Sequence, residues 1–134
     1  MNFATRVYLI AGVYGTVVVA PLYFLESTIN RGFPPPVSHP EYFYGFVGVA
    51  LCWQVLFLVL ARDPIRYRPM MIPAVLEKLS FGGASLVLFL QGRLASVQLG
   101  PAFIDLVFAV LFGMAYRSTG SVAATTDGNA RGGA

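Results

Sequence analysis

Three polar side chains lie inside long apolar stretches of this 134-residue sequence: Gln54, Glu77 and Asp105. An ionisable group at the centre of a membrane-spanning helix costs at least about 2.5–3.5 kcal/mol, so such a group marks a candidate functional site. Amides and carboxyls recognise ligands through hydrogen bonds, and carboxyls also exchange protons. These three residues are therefore the candidates for ligand binding or proton transfer.

Glu77 and Gln54 are predicted to lie at the same depth in two consecutive apolar stretches. Each is seven residues from the end of its stretch that borders the short connection between them, or roughly 10 Å along a helix. Pro64 ends one stretch and Pro69 precedes the next, so the connection is tight and the two helices are expected to be antiparallel neighbours. The Gln54 amide can then donate a hydrogen bond to the Glu77 carboxyl. In the alternative interpretation Glu77 pairs with Lys78 or with an arginine of the connection and only anchors the helix end.

Asp105 shares one helical face with the small residues Ala109 and Gly113, so the sequence predicts that it points into a bundle. Arg93, near the end of the preceding stretch, is its expected charge partner. If Asp105 and Glu77 face one interior, they form a polar track that crosses both leaflets.

Other reactive residue types give no catalytic, metal or cofactor motif. The only histidine, His39, has one nearby carboxylate, Glu41, whereas a metal site needs about three protein ligands. Because Cys52 is the single cysteine, an intramolecular disulfide is excluded, and Cys52 is expected to be a buried thiol.

Trp53 and Tyr14 are expected to form aromatic walls of the interior. The predicted ligand-binding set is therefore Gln54, Glu77, Asp105, Trp53 and Tyr14.

The elements that must position these residues are four long apolar segments. Each has about the ~20 residues that a helix needs to cross a bilayer. Their apolar runs are continuous, which excludes the alternating pattern of barrel strands. With 57% apolar and 11% charged residues, little chain is left for a soluble domain. The predicted fold is an all-α, integral membrane four-helix bundle over residues 1–117, with a disordered tail over 118–134. Its helices are predicted at about 7–25, 42–61, 70–90 and 99–116.

Basic residues predict the orientation of this bundle. Six Lys and Arg residues lie in the N-terminus, the second connection and the C-terminal tail, against two in the first and third connections. The positive-inside rule then places both termini in the cytoplasm. The net charge of +3 comes from these helix-end residues, so membrane lipids and not nucleic acid are the expected partners.

In the first segment, the small residues Gly12, Thr16 and Ala20 predict a close helix contact.

Over about residues 6–117 the chain resembles the small four-helix bacterial inner-membrane proteins called DoxX-like. The resemblance is carried by the number and length of the segments, by the arginine-rich middle connection, and by the run from YGFVG at 44–48 through WQ at 53–54 to RDP at 62–64. It implies a multi-pass protein of the cell inner membrane and assigns no functional residue.

The sequence favours a non-enzymatic membrane protein that binds a lipophilic ligand or acts as a subunit of a membrane complex, including a homo-oligomer. One alternative is an enzyme on a lipid-like substrate, with Glu77 or Asp105 as a proton shuttle, as in sterol-isomerase-like bundles. Another is a component of proton-coupled transport. The discriminating feature is whether the two carboxylates share a cavity, and whether that cavity opens to lipid or to water.

Overall fold

The computed structural model describes the backbone of residues 1–132 and their side chains, except those of residues 123, 126, 127, 131 and 132. Over that range the chain is helical and contains no strand. Three short 3₁₀ turns, Ala20–Phe24, Arg68–Met70 and Ser96–Gln98, join or extend the helices. The helices are α1 (Phe3–Val19), α2 (Glu26–Gly32), α3 (Pro40–Arg62), α4 (Met71–Leu90) and α5 (Leu99–Gly132).

Four helical stretches in the described part of the chain are long and apolar enough to cross a membrane. They are Phe3–Phe24, Pro40–Arg62, Arg68–Leu90 and Ser96–Val122. The all-α fold and the four membrane-length helices are thus confirmed, with ends that differ from the predicted ones by a few residues. The short helix α2 lies in the first connection and is not one of the four.

Local sequence signals set the helix ends. The Asn2 side chain accepts a hydrogen bond from the Thr5 amide at 2.8 Å and caps α1. Pro40 occupies the first position of α3, where its missing N–H costs nothing. After α3 ends, the Asp63 carboxylate accepts from the Arg66 amide at 3.0 Å and forms the turn toward α4.

The helices pack as two close pairs, α1 with α3 and α4 with α5. Glycines allow both approaches: a Cβ at Gly12 would lie 2.8 Å from Leu58, and one at Gly82 would lie 2.7 Å from Leu106. Helix α1 also packs against α5, whereas α3 and α4 barely touch. The expectation that the short connection makes α3 and α4 close neighbours is therefore wrong, because the glycine contacts draw each helix to a different partner.

The apolar core occupies the end of the bundle that holds the N-terminus and the α3–α4 connection. The Tyr8 ring is fully buried and stacks on Phe112 with centroids 4.3 Å apart, which joins the two helix pairs. This cluster closes one end of the bundle. Its buried members are Ala4, Val7, Tyr8, Ala11, Phe57, Leu60, Ala61, Met71, Ala74, Phe112 and Ala115.

Two expectations about small residues need correction. Of the predicted stripe on α1, Gly12 is buried but Thr16 is exposed, and Gly15 takes the buried position instead. The Thr16 hydroxyl donates to the Gly12 carbonyl at 2.7 Å, so it is satisfied within its own helix. Cys52 was expected to be buried and is exposed on α3, because α3 packs closely only against α1.

The structure also differs from the predicted disordered tail, because α5 continues to Gly132. Side-chain hydroxyls find acceptors within this extension: Thr119 donates to the Ala115 carbonyl at 2.9 Å, and Thr125 donates to the Ser121 carbonyl at 2.9 Å. At its base, the Arg68 guanidinium lies 3.7 Å from the Tyr116 ring centroid and so packs against α5.

Candidate functional site

A buried ion cluster lies near the middle of the bundle. The Lys78 ammonium is 3.1 Å from the Asp105 carboxylate and 3.3 Å from Glu77 Oε2, and the Lys78 side chain is 8% exposed. Lys78 lies ten residues after Arg68, where its apolar stretch begins. That spacing is ~15 Å along a helix, about half of a ~30 Å hydrocarbon core. The cluster therefore sits far from either end of its helix.

Charge is not balanced within the ion cluster formed by Glu77, Lys78 and Asp105. With all three groups ionised, two carboxylates share one ammonium and the formal sum is −1. Lys78 donates a hydrogen bond to Asp105, and its ammonium also lies 5.2 Å from the centroid of the Phe57 ring. Glu77 Oε2 is buried and, apart from its ion pair with Lys78, accepts no hydrogen bond from any described residue.

Gln54 brings a second unsatisfied acceptor to the same region. Its side chain is almost fully buried, and Nε2 donates to the Ala50 carbonyl at 2.9 Å, which fixes the orientation of the amide. Oε1 then has no hydrogen-bond partner in the described part of the chain. A Cβ at Gly15 would collide with this amide, so glycine at that position makes room for Gln54.

The ion cluster and Gln54 line an inner cavity of about 280 Å³ among α1, α3, α4 and α5. Tyr14 and Phe108, whose ring centroids are 6.0 Å apart, form part of its wall. The other lining side chains are mostly apolar, so a few polar groups face an otherwise apolar chamber. Such a small set of convergent polar groups is typical of ligand sites.

A larger outer cavity of about 850 Å³ occupies the space between α3 and α4. It opens on the surface of the bundle, where Val49 and Leu76 are each 60% exposed, and Trp53 forms part of its wall. Its lining is apolar apart from a few groups, chiefly Glu41 at the exposed mouth and Glu77 deep inside. The cavity exists because α3 and α4 pack on other helices.

The two cavities share part of their walls. Phe46, Ala50, Glu77 and Phe81 line both of them. The Phe46 and Phe81 rings stack with centroids 5.9 Å apart, so an aromatic pair borders both spaces. Glu77 is the one charged residue common to the two linings in the described chain. A molecule lying in the outer cavity would thus approach the ion cluster at Glu77.

The structure brings most of the predicted set together. Gln54, Glu77, Asp105 and Tyr14 line the inner cavity, and Trp53 lines the outer one. No hydrogen bond joins Gln54 to Glu77, however, because the amide N–H donates to its own helix. Whether these five residues bind a ligand stays a prediction.

The expected partner of Asp105 was wrong. Arg93 is exposed and donates to Gln91 Oε1 at 3.4 Å, while Asp105 pairs with Lys78. The sequence considered Lys78 only as an anchoring partner of Glu77, and that ion pair is present, but Lys78 was left out of the predicted site because its long stem could carry the ammonium toward the interface. The available signal was its depth: a lysine one residue from Glu77 in a long apolar run costs as much to bury as a carboxylate does.

The described residues contain no group of three or more His, Cys, Asp and Glu side chains that could hold a metal ion. His39 lies 3.4 Å from Glu41, and both side chains are about two-thirds exposed.

No protein-family model, curated protein or solved structure matches the chain. The chemistry available to the site therefore follows from its own geometry: an apolar cavity for a hydrocarbon body and a buried polar cluster for a head.

Proposed function

We propose that this chain is a multi-pass membrane protein, without catalytic activity of its own, that binds a lipophilic ligand between α3 and α4. The hydrocarbon part of the ligand lies in the outer cavity, and its polar head meets Glu77 and the ion cluster. Trp53 and Tyr14 line the outer and inner parts of this path, and Gln54 and Asp105 line its inner end with Glu77.

The separation of α3 from α4 is the observation that carries this proposal. A volume of about 850 Å³ falls within the ~300–1,000 Å³ of typical small-molecule sites. Its mouth lies on the side of the bundle, between two helices of membrane-spanning length. A molecule dissolved in the bilayer would reach it without crossing water. An apolar cavity that leads to enclosed charged groups fits an amphiphilic, lipid-like molecule.

The proposal also places the protein in the cell inner membrane with both termini in the cytoplasm. Its support is the six-to-two distribution of basic residues outside the four helices. The closed apolar core would then lie in the cytoplasmic half of the membrane. The ligand could be held by this chain alone or presented to a partner subunit.

Native mass spectrometry of the protein purified from membranes tests ligand binding with a matched pair of variants. Gly45 lines the outer cavity and an added Cβ there meets no atom within 4 Å, so Gly45→Phe places a ring in the space that the ligand would occupy. Gly83 has equally open space around it but lines neither cavity, which makes Gly83→Phe the control. We expect a bound lipophilic molecule on the wild type and on Gly83→Phe, and its loss from Gly45→Phe.

Equal retention by both glycine variants, or no bound molecule on the wild type at any lipid concentration, would contradict the proposal.

A second candidate is an enzyme that isomerises a lipid-like substrate by proton transfer. It is favoured by one observation, the presence of two carboxylates, Glu77 and Asp105, in the lining of one cavity. Such an enzyme would return a chemically changed ligand. Because isomers share one mass, comparing the chromatographic retention and fragmentation of ligands recovered from the wild type and from Glu77→Gln distinguishes the two functions.

A further inference from the structure

The inner cavity has a specific electrostatic requirement. Its charged lining among the described residues consists of Glu77, Lys78 and Asp105, whose formal charges sum to −1 when all are ionised. An uncompensated charge in low-dielectric surroundings is costly. A positive charge placed beside Glu77 would balance the cluster.

Hydrogen bonding places a second, independent constraint on the head of the ligand. Two buried side-chain acceptors at this site need donors: Gln54 Oε1 has no hydrogen-bond partner in the described part of the chain, and Glu77 Oε2 has only its ion pair with Lys78. The Lys78 ammonium is already held between the two carboxylates at 3.1 and 3.3 Å. The site therefore lacks donors near Gln54 and Glu77, and a buried acceptor without a donor costs roughly 1–3 kcal/mol.

We propose that the head of the lipophilic ligand is a protonated amine. An ammonium head supplies one positive charge and several N–H donors, which meets both demands at once. A carboxylate or phosphate head would face two carboxylates and bring no donor. A hydroxyl head would bring one donor and no charge. This inference rests on the proposed function, because it names the head of the molecule that the two cavities are proposed to hold.

The position of Glu77 supports an ammonium head reached from the membrane. Glu77 lines both cavities, and the aromatic pair Phe46 and Phe81 lines them with it. A cation that moves from the outer cavity to Glu77 passes these two rings, whose faces attract cations. The hydrocarbon chain stays in the apolar outer cavity while the head reaches the cluster.

Binding of three matched probes tests the head group. Tetradecylamine, tetradecanol and tetradecanoate share one chain and differ in the charge of the head. We would measure binding of each radiolabelled probe to the full chain in phosphatidylcholine nanodiscs, with concentrations expressed as mole fraction in the bilayer. We expect the amine to bind at least about tenfold more tightly than the alcohol, and the acid to bind most weakly.

Two isosteric charge removals locate the effect. Glu77→Gln takes one negative charge from the cluster and should lower the preference for the amine about tenfold. Asp63→Asn removes the same charge from the exposed α3–α4 connection, which lines neither cavity, and should leave the preference unchanged. If Glu77→Gln fails to fold, the ranking of the three probes on the wild type still decides.

The outcomes separate the two claims. Alcohol or acid binding as tightly as amine would overturn the amine head and leave lipophilic binding standing. An amine preference that Glu77→Gln retains, or that Asp63→Asn abolishes, would overturn the assignment to the inner cluster. Saturable binding of none of the probes would overturn the proposed function as well.

Discussion

At the residue scale, close contacts around one amide decide the geometry of the site. Gln54 is buried against α1 only because residue 15 is glycine, and its amide is oriented by the Ala50 carbonyl. The sequence placed Gln54 in the interior because it is polar in an apolar run. The sequence could not show to which acceptor the Gln54 amide N–H would donate, because that depends on how α1 packs against α3.

Replacing Gly15 by alanine tests this contact. The new methyl group would overlap the Gln54 amide, so the side chain must leave its position or the helices must separate. We expect Gly15→Ala to lower the free energy of unfolding in mixed micelles by about 1–3 kcal/mol. At Gly113 an added Cβ meets nothing within 4 Å. Gly113→Ala should therefore be neutral or slightly stabilising, and equal losses for both variants would refute the proposed contact.

At the element scale, α4 presents consecutive residues to different neighbours. Lys78 faces α5 and contacts Asp105, while Glu77 also borders the gap toward α3. The apolar pattern predicted the helix and its depth, but not this rotation. The close approach of α4 to α5 at Gly82 depends on tertiary packing, which the sequence of a single segment does not reveal.

The same reasoning explains why the gap between α3 and α4 was not predicted. A connection as short as 63–67 suggested neighbouring helices, and sequence distance limits only how far apart their ends can be. Packing then depends on which faces admit a close approach, and Gly12 and Gly82 direct α3 and α4 to other partners. The outer cavity is the consequence.

Removing the shared cation tests the energetics of the cluster. Lys78→Met leaves two buried carboxylates without an ammonium, so we expect a loss of about 3–5 kcal/mol in the free energy of unfolding. The matched control neutralises the whole cluster: Glu77→Gln, Lys78→Met and Asp105→Asn together should recover most of that stability. A triple variant no more stable than Lys78→Met would mean that charge pairing is not what the cluster contributes.

At the scale of the whole molecule, four apolar segments with few charged residues were enough to predict an all-helical fold with four helices long and apolar enough to cross a membrane. Continuous hydrophobicity over a bilayer thickness leaves few alternatives. The C-terminal tail was less predictable, because Gly, Ala, Ser and Thr carry no apolar periodicity. Along this helix the side-chain hydroxyls find acceptors locally, as in the hydrogen bond from Thr125 to the Ser121 carbonyl.

Orientation in the membrane is a testable property of the whole chain. The basic residues predict a cytoplasmic C-terminus, so a C-terminal green fluorescent protein fusion should fluoresce and a C-terminal alkaline phosphatase fusion should be inactive. Fusions in the first connection, after Gly32, should give the opposite pattern. An active phosphatase at the C-terminus would reverse the assignment.

The central claim is that a lipophilic molecule occupies the cavity between α3 and α4, and two natural probes on adjacent residues measure it directly. Trp53 is the only tryptophan and lines that cavity, whereas Cys52 is the only cysteine and is exposed on the same helix outside it. In nanodiscs of phospholipids with brominated chains, both the indole and a fluorophore on Cys52 should be quenched. Tetradecylamine should then restore Trp53 emission and leave the Cys52 signal unchanged. Equal recovery at both positions, or none at Trp53, would contradict the account.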